Sequence, residues 1–212
     1  LYISAPGGAD AEITNVSLGG ELGAAMDVSK NVIDRARRDI GLLAVGLTET
    51  FNTQHKAGDT LNQVAGSEFF TSITPVATAS PLNSGTTTVS AVIDDATQMT
   101  GASYQIDYTD SVVTITNLST NATQEINGTT VSIDGLTFTV SPFSNLTDGD
   151  RFLVEPTGRA ASSMAVALTD TSDIAAANSG GNVGDNRNML SLIALRDENN
   201  LKDGTKSVYD IY

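Results

Sequence analysis

The amino-acid sequence predicts an α+β fold: a long-helix trunk domain with an inserted antiparallel β domain. Apolar residues recur every three or four positions from Gly20 to about Lys56, a spacing typical of one long helix. Within 67–156 the pattern shortens to stretches rich in Val, Ile, Thr, Phe and Tyr between turn residues, which indicates strands. Helical patterns then return. We therefore expect a trunk of residues 1–66 plus 157–212 and an inserted β domain of residues 67–156.

Before the long helix, residues 1–16 are expected to form two short extended segments around a Pro-Gly-Gly turn. The helix itself would extend roughly 55 Å at 1.5 Å per residue. Its predicted apolar face comprises Leu22, Met26, Ile33, Ala36, Ile40, Leu43, Leu47 and Thr50 or Phe51. Two pairs of opposite charge are spaced by four residues on its polar side: Asp34 with Arg38, and Arg35 with Asp39. Gly41 and Gly46 lower helix propensity, so we expect them to mark close approach of a neighbouring backbone.

The helix is predicted to end within "ETFNTQHKAGD", which contains the only histidine of the chain. His55 and Lys56 fall in the last turn, where positive side chains suit the negative helix end, and Gly58 is available as a left-handed cap. A catalytic histidine would need a partner such as Glu49 or Asp59 oriented towards it, together with a substrate cleft. The sequence shows neither, so a structural role is favoured.

The β region contains six predicted strands: "TTTVSAVI", "ASYQIDYT", "SVVTITNL", "TVSIDG", "LTFTVSP" and "DRFLVEP". The segments "YTDSV" and "IDGLT" are expected to be tight hairpin turns. Further along, "AASSMAVAL" is predicted to be a strand and "DTSDIAAAN" to contain one helical turn. A final helix would be capped by Asp185 or Asn186. Its apolar face would comprise Met189, Leu190, Leu192, Ile193 and Leu195.

The composition excludes several classes of function. The 25 Asp and Glu against 11 Lys and Arg give a net charge of −14, which disfavours nucleic acid and anionic membrane as partners. With no cysteine and a single histidine, thiolate metal sites and two-histidine zinc sites are ruled out. No apolar run approaches the roughly 20 residues needed to cross a bilayer, so no membrane insertion is expected.

Acidic residues dominate residues 57–150, which contain ten carboxylates and no lysine or arginine. Three acidic pairs are candidate calcium ligands: Asp94 with Asp95, Asp148 with Asp150, and Asp170 with Asp173. No EF-hand pattern surrounds them, and turn chemistry explains them more simply. Phosphate-binding glycine loops and the GxSxG nucleophile motif are also missing from the sequence. We expect no cofactor and no catalysis.

Two long segments resemble one known family. The first, "GGELGAAMDVSKNVIDRARRDIGLLAVGLTETFNTQHKAGDTLN", resembles the long-helix segment of the flagellar hook-associated protein 1 family, the hook-filament junction proteins. The similarity lies in its glycine-rich start, the turn Asp34 to Arg37, and the ending Phe51 to Asn62. Arg35 stands where proline is common in that family, and Gln63 where glycine is common. The second, residues 150–195, resembles the return segment of the family through its "IAAA" and "GDNRN" sequences.

The resemblance implies a secreted, non-catalytic structural subunit of the extracellular bacterial flagellum, exported by a type III apparatus. It also implies a central part of such a protein, since the family has terminal helices on both sides of this region. Expected partners are the hook protein, hook-associated protein 3 and further copies in a junction ring. We expect a charged stripe on the helix to contact neighbouring subunits, while the apolar face from Leu22 to Phe51 packs internally. The stripe comprises Asp34, Arg35, Arg38 and Asp39.

Two alternatives stay open at this point. Another flagellar axial protein, such as hook-associated protein 3 or flagellin, would share a helical trunk. The β domain would otherwise be an adhesive or glycan-binding module displayed on the flagellum. Glycan binding or a calcium-dependent change in melting would favour that second alternative.

Overall fold

The structure is a computed structural model that describes residues 2–3, 11–12, 20–198, 205 and 207. Two short strands, β1 (Tyr2–Ile3) and β2 (Ala11–Glu12), pair antiparallel, as the predicted entry segment requires. The predicted long helix is present. It runs as α1 (Gly20–Val28), one π-helical turn (Ser29–Ile33) and α2 (Asp34–Lys56) without interruption.

The buried face of this helix differs from the predicted one. No residue of α1 or of the π-helical turn is buried, and Leu22 and Ile40 are more than half exposed. The buried side chains all lie in α2 and belong to a different stripe: Gly41, Leu42, Ala44, Val45, Gly46, Thr48, Asn52 and His55. Five of these eight residues are glycine or polar, so the spacing of apolar residues predicts the wrong face.

Gly41 does mark a close approach of two backbones, as predicted. A Cβ atom built on Gly41 would lie 1.8 Å from the carbonyl oxygen of Thr157. The chain after Thr157 forms the short helix α3 (Ala160–Ser163), which packs on α2. The strand predicted for "AASSMAVAL" is therefore wrong over α3, since its small residues allow a helix to pack close to α2. In the rest of the predicted strand, the described residues form a single antiparallel bridge, between Val166 and Phe70.

The β region forms two antiparallel sheets. One has the strand order β5-β10-β9 and the other β4-β11-β6-β7-β8. Their bounds are β4 (Val76–Ala79), β5 (Thr88–Ile93), β6 (Tyr104–Thr109), β7 (Val112–Asn117), β8 (Thr123–Glu125), β9 (Thr130–Ile133), β10 (Leu136–Ser141) and β11 (Arg151–Glu155). All six predicted strands are confirmed. The strands β4 and β8 were not predicted, because neither contains a buried residue and both lie at an edge of their sheet.

Both predicted hairpin turns are present. Asp110 and Ser111 between β6 and β7 have φ of 51° and 67°, and Asp134 and Gly135 between β9 and β10 have φ of 51° and 73°. Positive φ at both central positions is typical of the type I′ turn, whose twist matches that of the strands. The sheets and the middle of α2 share one hydrophobic cluster, in which Leu42 and Val45 join residues such as Phe138.

The remaining elements bring the chain after the β region back to the end of α2. The strand β3 (Gly58–Asp59) pairs antiparallel with β12 (Ala177–Asn178), and α4 (Arg187–Ala194) follows. The predicted helical turn is a 3-10 turn at Thr171–Asp173. On α4 and the turn after it Asn188, Leu192 and Leu195 are buried, whereas Leu190 and Ile193 are exposed, so the predicted face was only partly correct. Among the described residues no helix is long and apolar enough to span a membrane.

Candidate functional site: the helix junction and the charged stripe

His55 is fully buried at the end of α2 and bridges two later segments of backbone. Its Nδ1 lies 2.7 Å from the carbonyl oxygen of Ser67, and its Nε2 accepts a hydrogen bond of 2.9 Å from the backbone N–H of Ala175. Because Nε2 accepts, the proton must be on Nδ1, and the ring is neutral. The position of His55 in the last helical turn is confirmed, but it does not act there as a positive charge.

Neither of the carboxylates considered as partners of a catalytic histidine binds the ring of His55. Asp59 accepts a hydrogen bond of 2.6 Å from the backbone N–H of Gly180. Glu49 is half-buried, and burial raises the pKa of its carboxyl above the usual value. The ring of His55 therefore has no carboxylate partner, and both of its nitrogens are used for backbone hydrogen bonds.

Asn52, one turn before His55, binds another backbone segment with its whole amide. Its Oδ1 accepts from the backbone N–H groups of Phe69 and Phe70 at 2.9 and 2.8 Å. Its Nδ2 donates to the carbonyl oxygen of Phe70 at 2.9 Å. The ring of Phe51 meets those of Phe69 and Phe70 edge to face, at centroid distances of 4.9 and 5.4 Å. Side chains of the helix thus add to the backbone bonds that this segment makes with residues 165–167.

Asn188, on α4, completes the contact between the helix end and the returning chain. It accepts from Gln54 Nε2 at 2.6 Å and donates to the carbonyl oxygen of Ala175 at 2.6 Å. A Cβ atom built on Gly58 would lie 2.1 Å from Asn188 Nδ2. The predicted left-handed cap at Gly58 is wrong, since the helix ends at Ala57 in right-handed conformation and Gly58 begins β3. Glycine is required there for space. We call His55, Asn52, Gln54, Gly58 and Asn188 the helix junction.

Asp185 organises the loop before α4. Its Oδ1 accepts from the backbone N–H of Arg187, and its carboxylate also binds the Arg187 guanidinium, with the shortest contact 2.8 Å. Hydrogen bonds from the Arg187 side chain hold the pKa of Asp185 well below its usual range. Asn186 makes no side-chain capping bond, so of the two predicted caps Asp185 supplies the interaction.

The acidic pairs considered for calcium serve the loops. Asp95 and Asp170 each cap a 3-10 turn, and hydrogen bonds from Thr97 and Ser172 lower the pKa values of their carboxyls. Asp150 is buried and accepts three backbone N–H bonds, from Ser84, Gly85 and Thr147. Throughout the described part of the chain no group of three or more His, Cys, Asp or Glu residues is arranged to hold a metal ion.

The charged stripe lies on the first two turns of α2, clear of the helix junction. Arg35 and Asp39 are exposed, and Asp34 and Arg38 are partly exposed. The predicted pairs four residues apart do not form. Asp34 instead lies 3.6 Å from Arg37, one turn away, and within the described ranges no ion pair involves the other three members of the stripe. The charges of Arg35, Arg38 and Asp39 are therefore not neutralised by an ion pair within the described part of the chain.

The stripe forms one wall of two clefts, both open to the surface. One, of about 850 Å³, lies between the helix and the Thr100–Ser103 and Leu118–Ser119 segments of the β region. The other, of about 550 Å³, lies between the helix and the start of α3. Arg38 and Asp34 line both clefts, and Glu155 lies across from them. Of the predicted site residues, all four line the first cleft.

Sequence reasoning did not identify Asn52, Gln54 and Asn188 as junction residues. An amide inside a helix normally indicates a solvated position, and its partners are backbone groups that leave no trace in the sequence. One signal was present: all three lie inside the two long segments singled out for their family resemblance, where their neighbours include Phe51, His55 and Gly58.

Two family descriptions match the chain. Residues 1–70 match the domain described as "Flagellar hook-associated protein FlgK helical domain". Residues 78–156 match "Flagellar hook-associated protein 1, D2-like domain".

Individual proteins are similar over most of the chain. Flagellar hook-associated protein 1 of Escherichia coli (strain K12) is 34% identical over 200 residues, which cover 91% of this chain and 36% of that protein. The protein of the same name from Salmonella typhimurium is 31% identical over 205 residues, with the same coverage. The chain thus spans little more than a third of the length of these relatives. The solved structure of the flagellar hook junction protein FlgK from Burkholderia pseudomallei is similar with a TM-score of 0.72 and 31% identity, over 82% of this chain and 32% of that one.

Proposed function

This chain belongs to the flagellar hook-associated protein 1 family, and from that premise we propose that it is part of a structural, non-catalytic subunit of the junction ring between the hook and the filament of the bacterial flagellum. Its place would be outside the cell, on the flagellum. Its partners would be the hook protein, hook-associated protein 3 and further copies of itself, without nucleic acid and without insertion into a membrane.

One observation carries the proposal: the polar side chains of the helix junction are used for hydrogen bonds that hold the fold together. The single histidine is neutral and bonded through both nitrogens to backbone groups, so it has no free nitrogen to act as a general base. The amides of Asn52 and Asn188 are likewise used in backbone contacts. Such a molecule is suited to keeping a fixed shape within an assembly.

We further propose that residues 1–66 and 157–212 form a helical trunk domain and residues 67–156 an inserted β domain. The two family descriptions meet near this boundary, at residues 70 and 78. The helix junction supports it as well, because it joins the end of α2 to segments more than 100 residues later. The two domains would be packed together rather than independent, since Leu42 and Val45 belong to the core of the β region.

The charged stripe would be a subunit contact. Its residues lie far from the helix junction and form no part of the core, so they are available to a neighbour. We define a cleft-acidic variant, Arg35→Glu with Arg38→Glu. It should weaken assembly while the midpoint of thermal unfolding stays within about 2 °C, because exposed charges contribute little to stability. A large fall in that midpoint would instead indicate an intramolecular role.

The decisive experiment uses the full-length protein that contains this chain. It is added to isolated flagellar hooks that lack junction proteins, and the hook tips are imaged by electron microscopy. A new layer at the tip supports the proposal. Addition to filaments but not to hook tips would favour a flagellin-like axial protein. Binding to surface glycans without either would favour the adhesive alternative, and both outcomes would contradict the junction assignment.

A further inference from the structure

Positive charge in this acidic molecule is concentrated around the two clefts beside the helix. Five of the 11 lysines and arginines of the chain line them: Lys30, Arg35, Arg37, Arg38 and Arg159. Three carboxylates line them as well: Asp34, Asp39 and Glu155. If every Lys and Arg is counted as positive and every Asp and Glu as negative, the residues that line the clefts carry a net charge of about +2. The whole chain, counted in the same way, carries −14. We call this surface the basic cleft.

Most of the cations of the basic cleft have no ionic partner within the molecule. Arg37 lies 3.6 Å from Asp34, and both side chains are solvent-accessible. Over the portion of the chain that the structure describes, Lys30, Arg35, Arg38 and Arg159 take part in no ion pair. A surface that brings uncompensated positive charges to the mouth of two clefts is suited to an acidic partner.

The same molecule carries an exposed acidic surface at the far end of the β region. Asp110 in the turn between β6 and β7 is exposed, as is Asp148, whose carboxylate accepts the backbone N–H of Asp110 at 2.8 Å. Neither has a cationic partner among the described residues, whereas nearby Asp107 is neutralised by Arg151 at 2.6 Å. No lysine or arginine occurs anywhere in residues 57–150. We call Asp110 and Asp148 the acidic tip.

The two surfaces lie at opposite ends of the same strands. Ser103, immediately before β6, lines the basic cleft, and Asp110 immediately follows β6. Seven residues of extended chain separate their backbones by roughly 23 Å. In the neighbouring strand β11, Arg151 pairs with Asp107 and Val154 with Tyr104, so that Glu155 lies at the cleft end and Asp148 at the tip end. An ion pair between the two surfaces within one molecule is therefore ruled out.

We propose that the basic cleft of one copy receives the acidic tip of the β region of a neighbouring copy. This inference rests on the proposed function, and it names the partner surface of the charged stripe. Charge complementarity selects the occupant. The contact is head to tail, because each copy uses one surface as donor and the other as acceptor. Such a heterologous contact closes into a ring when the rotation between copies is a whole fraction of a turn.

The acidic tip can be neutralised without altering its turn. A tip-neutral variant, Asp110→Asn with Asp148→Asn, keeps an acceptor for the backbone bond, and asparagine tolerates the positive φ of 51° at position 110. The matched control is Asp94→Asn with Glu125→Gln, which makes the same change of charge at exposed positions of the β region outside the tip. Both are made in the full-length protein, and addition to hook tips is titrated by electron microscopy.

The tip-neutral variant should need roughly tenfold more protein for half-maximal occupancy of hook tips, since two exposed ion pairs are lost. The control should match the unaltered protein. The difference between the two should shrink as salt is raised, because exposed pairs are screened. A tip-neutral variant that occupies hook tips like its control would overturn the inference.

A charge swap then tests whether the two surfaces touch each other. Adding Thr109→Lys and Thr147→Lys, both at exposed positions, turns the tip-neutral variant into a tip-basic one. Combined in one chain with the cleft-acidic substitutions, it should recover most of the occupancy that each set loses alone. If the cleft-acidic variant loses occupancy and the combined variant does not recover it, the acidic tip is not the occupant of the cleft. The junction function would then stand, whereas failure of the unaltered protein to cap hooks would remove the function itself.

Discussion

The two halves of the long helix differ in how they use the same secondary structure. From Gly20 to Ile40 the helix buries nothing, and its leucine, valines and isoleucines are exposed. From Gly41 to Lys56 it buries eight residues. Three of them are apolar, namely Leu42, Ala44 and Val45, and the other five are two glycines, a threonine, an asparagine and His55. Large apolar residues therefore lie at the surface in the first half, whereas glycine and polar residues are buried in the second half.

This difference teaches that the interior of the molecule is specified by fit and hydrogen bonding as much as by hydrophobicity. A buried amide is tolerated because every one of its groups is paired, and a buried glycine because a backbone passes where its side chain would be. The exposed half carries the charged stripe and isolated apolar residues, and substitutions there should leave stability almost unchanged.

The largest effect is expected from Asn52→Ala. It removes three hydrogen bonds to the backbone of Phe69 and Phe70, a partly buried segment, and leaves two N–H groups and one carbonyl without these partners. The free energy of unfolding should fall by about 4 kcal/mol, measured by urea denaturation. Thr53→Ala, one residue along and exposed, is the control and should change it by less than about 0.5 kcal/mol. Similar values for both variants would show that the amide contacts contribute little.

Gly41→Ala should come next. The new methyl group would collide with the carbonyl oxygen of Thr157, a backbone atom that cannot rotate away. We expect a loss of about 3 kcal/mol, at the upper end for overpacking. The same substitution at Gly23, in the half without buried residues, should stabilise by up to about 1 kcal/mol through helix propensity. If both substitutions stabilised the protein, the close approach at Thr157 would be wrong.

A smaller effect of opposite sign is expected from Thr48→Val. The Thr48 hydroxyl is buried and finds no hydrogen-bond partner among the described residues. Replacing it by a methyl group removes an unsatisfied polar atom at nearly constant volume, so stability should rise by about 1 kcal/mol. Thr50, whose hydroxyl donates to the carbonyl oxygen of Gly46 at 2.6 Å, provides the contrast: Thr50→Val should not stabilise. A loss at position 48 would mean that its hydroxyl is bonded.

The smallest effect is expected from Leu22→Ala in the exposed half. Leu22 is 59% exposed, so its truncation should change the free energy of unfolding by less than about 0.5 kcal/mol. Leu42→Ala makes the same truncation at a fully buried position of the same helix and should cost about 3 kcal/mol. Equal losses at the two positions would erase the distinction between the two halves.

The secondary structure was largely predictable because it depends on local patterns. The long helix, six strands and two hairpin turns follow from spacing, β-branched residues and Asp-containing turns. The errors arose where tertiary packing decides. The run of small residues after Gly158 became α3 because it packs on α2, and β4 and β8 were missed because edge strands bury too little to leave a pattern.

The candidate sites were predictable to different degrees. The place of His55 in the last helical turn followed from the sequence, but its neutral, doubly bonded state depends on Ser67 and Ala175, which no local pattern connects to it. The four residues of the charged stripe were selected from their spacing, and their role as a subunit contact stays a prediction. Their pairing was not, because exposed side chains choose among several partners of similar energy, and Asp34 lies beside Arg37 rather than Arg38.

The hydrogen bond between His55 and Ala175 joins residues that are 120 positions apart. Closing a loop of that length costs entropy that grows only with the logarithm of the length, about 0.6 kcal/mol for each doubling. A connecting segment half as long or twice as long would therefore change the cost of closure by less than one ordinary hydrogen bond contributes. Loop closure therefore sets little limit on the length of the β region between the two segments that the helix junction fastens, provided that the strands packed on Leu42 and Val45 keep their place.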